Sequence, residues 1–333
     1  MIMALQKVAI SMGDPAGIGP EIALKAALDP RVRNICRPLL VGDRRALEAH
    51  AEASGLKPRI RAYKSAAEID WNAEGVALLD LDLFGNAPLE LGKISAVNGR
   101  AAVEAARTAI KAALEGQVDA VVAAPQTELA IKQAGIEFDG YPSFVARCTG
   151  VPEEDVFLMH CFDDKKIVHA TLHVSLRRAL ELITPTRVRK VIQCAHDTLK
   201  RLGTDQPRIA VAGINPHASE HGMFGDDEAR IIEPAIAEAK AAGIRVEGPL
   251  GADTMFHRTD VDAFVVMYHD HGHIASKLLA RNRVAGLILG TPVLFSSVAH
   301  GSALDIAGQN RASPEAVIEA VSRLVGTPQR KAA

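Results

Sequence analysis

The stretch Ala263-Phe264-Val265-Val266-Met267-Tyr268-His269-Asp270-His271 carries an unbroken apolar run into a histidine-rich corner. A short run of this kind predicts a buried strand over Ala263–Tyr268. Two other stretches repeat the arrangement. Lys166–Leu172 runs into His173, and Arg208–Gly213 runs into Asn215-Pro216-His217. Val8–Ser11, Leu39–Val41, Val76–Leu79 and Ala120–Ala123 also read as strands. Between them, Glu21–Leu28, Asn98–Glu115, Ser175–Leu182, Val188–Leu202 and Asp226–Ala242 read as Ala-rich amphipathic helices. Pro185 reads as a helix stop and Gly203 as a C-cap. The alternation predicts an α/β protein with largely parallel strands. Weak points around Ala124-Pro125 and before His300 suggest a discontinuous outer domain, 1–125 plus 300–333, around a central domain, 126–299.

The 333 residues suffice for two cores. Hydrophobic residues make up 48% and charged residues 23%, with aromatics at only 4%, as suits aliphatic helices packed on a buried sheet. A formal net charge of −2 gives no attraction to phosphate backbones, which argues against a nucleic-acid partner. Cys36, Cys148, Cys161 and Cys194 are scattered without a CxxC pair, so reduced thiols are expected. The N-terminus lacks an export pattern and no apolar run reaches about 18 residues. A cytoplasmic protein without membrane contact is the expectation.

In an open parallel sheet, ligands bind beyond the carboxyl ends of the strands. If the three histidine-bearing strands run in parallel, His173, His217 and His269 are delivered to one such edge. Imidazole suits zinc and its neighbours, and a catalytic site keeps three protein ligands plus an open position. A lone histidine is more often a surface or core residue. His169, His271 and His273 compete for the role, since period two puts His169 on the strand face of His173. His50, His160, His196 and His257 lack the strand-end context and read as structural. The polar turn Asn215-Pro216-His217-Ala218-Ser219-Glu220 reads as a site loop, shaped by Pro216.

Two loops offer a place for a cofactor. Gly13-Asp14-Pro15-Ala16-Gly17-Ile18-Gly19-Pro20-Glu21 follows a strand and opens a helix. Gly17 and Gly19 permit close backbone approach, and the first turn is expected to present free N–H groups to an anion. The spacing is not GxGxxG. His300-Gly301-Ser302-Ala303-Leu304-Asp305-Ile306-Ala307-Gly308 sets a small-residue turn between an imidazole able to pack on adenine and a carboxylate able to bind ribose. Lys277, one or two helical turns after His269, becomes an acid–base candidate beside a cation, because like charge disfavours its protonated form. Asp253, after Gly248-Pro249-Leu250-Gly251-Ala252, is placed to orient a ligand or to cap a helix.

The words GDPAGIGPEIALKA, LHVSLRRAL, GINPHASE, GPLGADTMF, MYHDHGHIASK and HGSALDIAG, in this order, resemble the 4-hydroxythreonine-4-phosphate dehydrogenase family from Gly13 to Gly308. HGSALDIAG and the GIGPE ending also look like the wider isopropylmalate and isocitrate dehydrogenase group. The resemblance implies a two-domain α/β/α fold with NAD or NADP in the cleft, and a homodimer with its active site at the interface. It implies one divalent cation per subunit on His173, His217 and His269, with zinc first and magnesium or cobalt as alternatives. It carries the family's lysine onto Lys277 and its GADT aspartate onto Asp253. Gly17, His300, Gly301, Ser302 and Asp305 fall on the cofactor side.

The substrate positions depart from the phosphate-using members. Their His-Thr pair is Tyr141-Pro142 here, followed by Ser143. Their asparagine is Gly286, their arginine is Phe295, and an aspartate before the last histidine is Ala299. This combination resembles the terephthalate cis-dihydrodiol dehydrogenase branch. The expected reaction oxidises a secondary alcohol beta to a carboxylate and releases carbon dioxide, turning a cyclic diol dicarboxylate into protocatechuate. The competing expectations are a dehydrogenase for 4-hydroxythreonine 4-phosphate or a related four-carbon phospho-acid, and a non-catalytic metabolite-binding protein.

Overall fold

The computed structural model describes residues 5–280 and 284–325. Its strands are β1 (Gln6–Ser11), β2 (Cys36–Gly42), β3 (Ile60–Tyr63), β4 (Val76–Asp80), β5 (Ala120–Ala123), β6 (Phe157–Phe162), β7 (Lys165–His169), β8 (Arg208–Ala212), β9 (Arg245–Leu250), β10 (Ala263–Val266), β11 (Ala285–Leu289) and β12 (Leu294–Val298). The chain divides into two compact units. One comprises the residues up to Gly150 together with those from Thr291 onward, and the other is Val151–Gly290.

In the first unit the strands lie in the order β3-β4-β2-β1-β5-β12, all parallel. Val8 to Ser11 and Ala120 to Ala123 are buried throughout, as strands covered on both faces must be. The helix Ala96–Leu114 buries Ala101, Ala102, Ala105, Ala106 and Ala109, whose small side chains permit close packing. A Cβ on its Gly99 would stand 2.2 Å from the Ala130 carbonyl, so the helix Glu128–Gln133 can dock there only against glycine.

In the second unit the order is β11-β6-β7-β10-β8-β9. β6 runs antiparallel to both neighbours, while β7, β10, β8 and β9 are mutually parallel. The direction assumed for the three histidine-bearing strands is therefore observed. They end earlier than the apolar runs suggest, at His169, Ala212 and Val266. Pro185 also differs from its expected role. It opens the helix Pro185–Arg201, behind the N-cap Thr184, because proline suits a first turn.

The division falls at Gly150 and Gly290 rather than at 125 and 299. The helices Glu128–Gln133 and Tyr141–Thr149 pack on Ala96–Leu114, and β12 pairs with β5 through Leu294 to Ser297. Tertiary packing carries the first unit past the proline that looked like a boundary. No helix among the described residues is long and apolar enough to cross a membrane.

Candidate active site

Because β7, β10 and β8 are neighbours, their carboxyl ends bring His173, His269 and the His217 turn to one edge of the second unit. The His173 and His269 rings lie 5.7 Å apart, centre to centre, and His269 Nδ1 is 2.7 Å from Asp270 Oδ1. They border a groove of about 390 Å³ that Leu172, Val174, Leu176 and Tyr268 also line. His173 and His217 are exposed. His217 keeps separate company, with its Nδ1 3.7 Å from Glu220 Oε2 and its ring 6.0 Å from that of Phe224. The ideal Cβ position on Gly251 stands 3.7 Å from the His217 Cα and 2.8 Å from Asp253 Oδ1, so Asp253 shares the His217 corner. Lys277 is exposed, about two turns beyond His269 on the helix His269–Ala280.

The turn that presents His217 has unusual backbone. His217, Ala218, Ser219, Glu220 and His221 all take left-handed conformations, with φ between 45° and 66°. For residues with a Cβ this costs about 1–2 kcal/mol each. Hydrogen bonds hold the turn, from Phe224 N and Gly222 N to the Ser219 carbonyl and from Met223 N to that of Glu220.

Among the described residues one group of three potential metal ligands lies with its donor atoms within 4.8 Å of one another, and it is not the expected trio. It is His160, His169 and His273. Two of these, His169 and His273, competed for a ligand's place in the sequence; His160 did not. The hydrogen bonds assign their protons, since carbonyls only accept. His169 Nδ1 donates to the Leu158 carbonyl at 3.2 Å, and His273 Nδ1 donates to the His269 carbonyl at 3.2 Å and to His169 Nε2 at 3.1 Å. Ser276 Oγ donates to the His273 carbonyl, so His160 Nδ1 donates to Ser276 Oγ at 2.9 Å. His273 then stacks on His269, ring centres 3.7 Å apart at 12°. Burial keeps all three neutral, helped by the nearby Lys277 charge at His160 and His273, with His160 pushed down to about 3 and His273 to about 4. With its Nε2 already accepting from His273, His169 braces His273, on which His269 stacks. No spacing rule finds this cluster. It depends on the antiparallel β6, which places Leu158 opposite His169 and was not legible.

In the first unit the two cofactor loops interlock. Ile18 N donates to the Ser302 carbonyl at 2.9 Å, Thr127 Oγ1 lies 2.9 Å from Ser302 Oγ, and a Cβ on Gly17 would stand 2.7 Å from Ser302. The close approach that Gly17 permits is thus to Ser302. Met12 through Leu24 are buried, and the N–H groups of Ala16, Gly17 and Ile18 are taken by Asp14 and Ser302. The expected anion site on this helix is therefore not open. Asp14 is fully buried, which raises its pKa. Ser302 is buried as well, so it anchors the loop from which Gly301, Asp305 and part of His300 face outward.

The substrate candidates are also placed differently. Phe295 is fully buried in β12, with its ring 5.1 Å from that of Tyr141, whose hydroxyl donates to the Ala124 carbonyl at 3.0 Å. Gly286 is buried in β11, opposite His160. Phe295 and Gly286 are thus both buried in the chain taken alone. Tyr141, Pro142 and Ser143 open the helix Tyr141–Thr149 and are partly exposed. Arg281, a basic residue able to hold a substrate carboxylate, lies outside the described residues.

A family model described as pyridoxal phosphate biosynthetic protein PdxA matches residues 34–324. The chain belongs to the PdxA family. A protein of Symbiobacterium thermophilum, provisionally named D-threonate 4-phosphate dehydrogenase, is 42% identical over 317 residues, 94% of each chain. A 1,2-dihydroxy-3,5-cyclohexadiene-1,4-dicarboxylate dehydrogenase of Comamonas is 39% identical over 330 residues, 98% of this chain and 100% of that one. The crystal structure of a 4-hydroxythreonine-4-phosphate dehydrogenase from Burkholderia phymatum matches with a TM-score of 0.87 at 35% identity, covering 97% of this chain and 98% of the other. This PdxA-family chain is accordingly a dehydrogenase acting on a CH–OH group, from a family that uses a nicotinamide cofactor and a metal.

Proposed function

We propose that the protein oxidises a non-phosphorylated cyclic diol dicarboxylate, terephthalate 1,2-cis-dihydrodiol, with loss of carbon dioxide to give protocatechuate. The observation that carries this reading is the 39% identity to the Comamonas dihydrodiol dehydrogenase along that enzyme's whole length. The buried Phe295–Tyr141 layer supports it, because an arginine for a phosphate would there sit in an apolar interior at a large desolvation cost.

His173, His217 and His269 are the residues proposed to hold a divalent cation, zinc before magnesium or cobalt. Their chemistry fits, being three imidazoles at adjacent strand ends with a carboxylate, Asp253, beside one of them. A bound cation supplies Lewis-acid stabilisation of negative charge on the substrate oxygen. Lys277 Nζ, its protonated form disfavoured by a cation bound beside it, would take the hydroxyl proton, and Asp253 Oδ1 would orient the substrate's polar edge. His300, Gly301 and Asp305 would hold NAD or NADP, with Ser302 and Gly17 fixing their loop, and a bound nicotinamide would supply the hydride acceptor. Tyr141, Pro142 and Ser143 face the substrate. Oxidation of the hydroxyl beta to a carboxylate leaves a β-keto acid, whose decarboxylation restores the aromatic ring.

The site is proposed to be completed by a second copy of the chain. Within one chain, among the described residues, His173, His217 and His269 do not bring their ligand atoms within 4.8 Å of one another. Met223, Leu176, Leu278 and Leu279, on the segments that carry these histidines, expose 53–75% of their surface. Exposed apolar side chains beside all three histidines support such an interface.

A second reading, a four-carbon phospho-acid dehydrogenase, is favoured by the 42% identity to the Symbiobacterium protein. Absorbance of reduced nicotinamide, followed with the dihydrodiol, D-threonate 4-phosphate and 4-phosphohydroxythreonine under NAD and NADP, separates the two. The expected result is turnover of the dihydrodiol alone. Turnover of a phosphate ester alone overturns the substrate assignment.

A further inference from the structure

The left-handed turn carrying His217 is tethered by a carboxylate that the proposed chemistry does not use. Glu228 is 1% exposed and sits in the π-helical turn Glu228–Ile232. Its Oε1 accepts from Ile214 N and Asn215 N, both at 2.7 Å, and its Oε2 accepts from Asn215 Nδ2 at 3.0 Å. Asn215 Nδ2 also donates to Asp227 Oδ2 at 3.1 Å. Both backbone groups and the side chain immediately before Pro216-His217 are thus fixed by one buried anion. Two glycines make room. A Cβ on Gly213 would stand 2.8 Å from the Ala218 Cα and 2.9 Å from Glu228 Oε1, and one on Gly225 would stand 2.9 Å from Asn215 Nδ2.

We infer that Glu228 is a positioning residue for His217, holding the strained turn so that the imidazole is presented toward a metal. This rests on His217 being a metal ligand. The hydrogen-bond partners of the carboxylate are all donors, and these bonds lower its pKa despite burial, so it sits there as the anion. A strained turn held by fewer than its full set of bonds relaxes, because the left-handed conformation is not its local minimum. Relaxation moves the residue at the head of the turn, His217.

The test is zinc affinity of the full-length protein, measured by competition with a chromophoric chelator and by the visible spectrum of the cobalt(II) form. Glu228→Gln keeps the shape but turns an amide N–H toward a donor, so at least one of the three bonds is lost. Zinc affinity should fall about 10–100-fold, as for other groups that orient a ligand. At sub-saturating metal the cobalt(II) bands should weaken, and saturating cobalt(II) should restore them toward those of the wild type. Glu228→Asp, which keeps the charge one methylene short, should fall in between, and it carries the test if the Gln variant does not fold. A lowered melting temperature with unchanged zinc affinity makes Glu228 merely structural and overturns the inference. His217→Ala separates the two claims. If it loses zinc while both Glu228 variants keep it, only the positioning role falls; if it keeps zinc, the ligand assignment falls and the inference with it.

Discussion

Ala218 shows what the His217 turn demands of single residues. A methyl group held at φ 52°, ψ 49° is strained, and glycine at this position is not. Ala218→Gly should stabilise the metal-free protein by about 0.5–1 kcal/mol, after the entropy of the more flexible unfolded chain is counted, and so raise its melting temperature. Calorimetry decides it, and an unchanged or lower midpoint means the turn relaxes without metal. His217 itself is the stricter test. His217→Ala should purify without stoichiometric metal while its circular dichroism stays native. At this scale the sequence was partly legible. His173, His217 and His269 stand out by position after apolar runs, but nothing in the letters distinguishes a buried Ser302 from an exposed Asp305 in the same loop. That difference comes from Ile18 and Thr127, which are distant in the chain.

Elements also meet tightly where the helix His269–Ala280 crosses β7. A Cβ on Gly272 would stand 2.3 Å from His169 Nε2 and 2.8 Å from Ile167 Cγ2. Gly272→Ala should therefore lift the helix from the sheet, at a cost of about 1–3 kcal/mol, and loosen His269 with it. A denaturant midpoint lowered together with weaker metal binding would bear this out; an unchanged midpoint would not. The histidines under that helix also predict a pH dependence for the metal-free protein. His160 titrates near 3 and His169 is held well below its ordinary value. Both are depressed, so the unfolded chain binds these protons first, and stability is fully present above about pH 6.5. It should fall as pH drops from there toward 3, by about 1.4 kcal/mol per unit for each imidazole. His160→Leu should flatten the slope. Parallel strands such as β8 and β10 were readable as apolar runs, whereas β6, with Met159, His160 and Cys161 in mixed order, was not. Its identity as a strand is imposed by β7 and β11 on either side.

At the scale of the molecule the decisive property is how many chains make one site. If His217 and His269 of a working site come from different copies, His217→Ala and His269→Ala proteins are each inactive, and their mixture regains roughly a quarter of wild-type turnover after random exchange. No recovery, with exchange confirmed by mass, places all three ligands in one chain. The α/β class was readable from alternation alone. The unit boundaries were not, since Pro125 looks like a break but is bridged by Asp14 N donating to its carbonyl and by the helices that follow.

The first unit is assembled from both ends of the chain. β12 reaches β5 across an intervening segment, Val151–Gly290, that carries a complete six-stranded order of its own. During synthesis that middle segment emerges whole while β5 still has a bare edge, with Val121 and Val122 waiting for Phe295 and Ser296. The nascent protein therefore completes its histidine-bearing half first and carries an unsealed strand until the last stretch arrives.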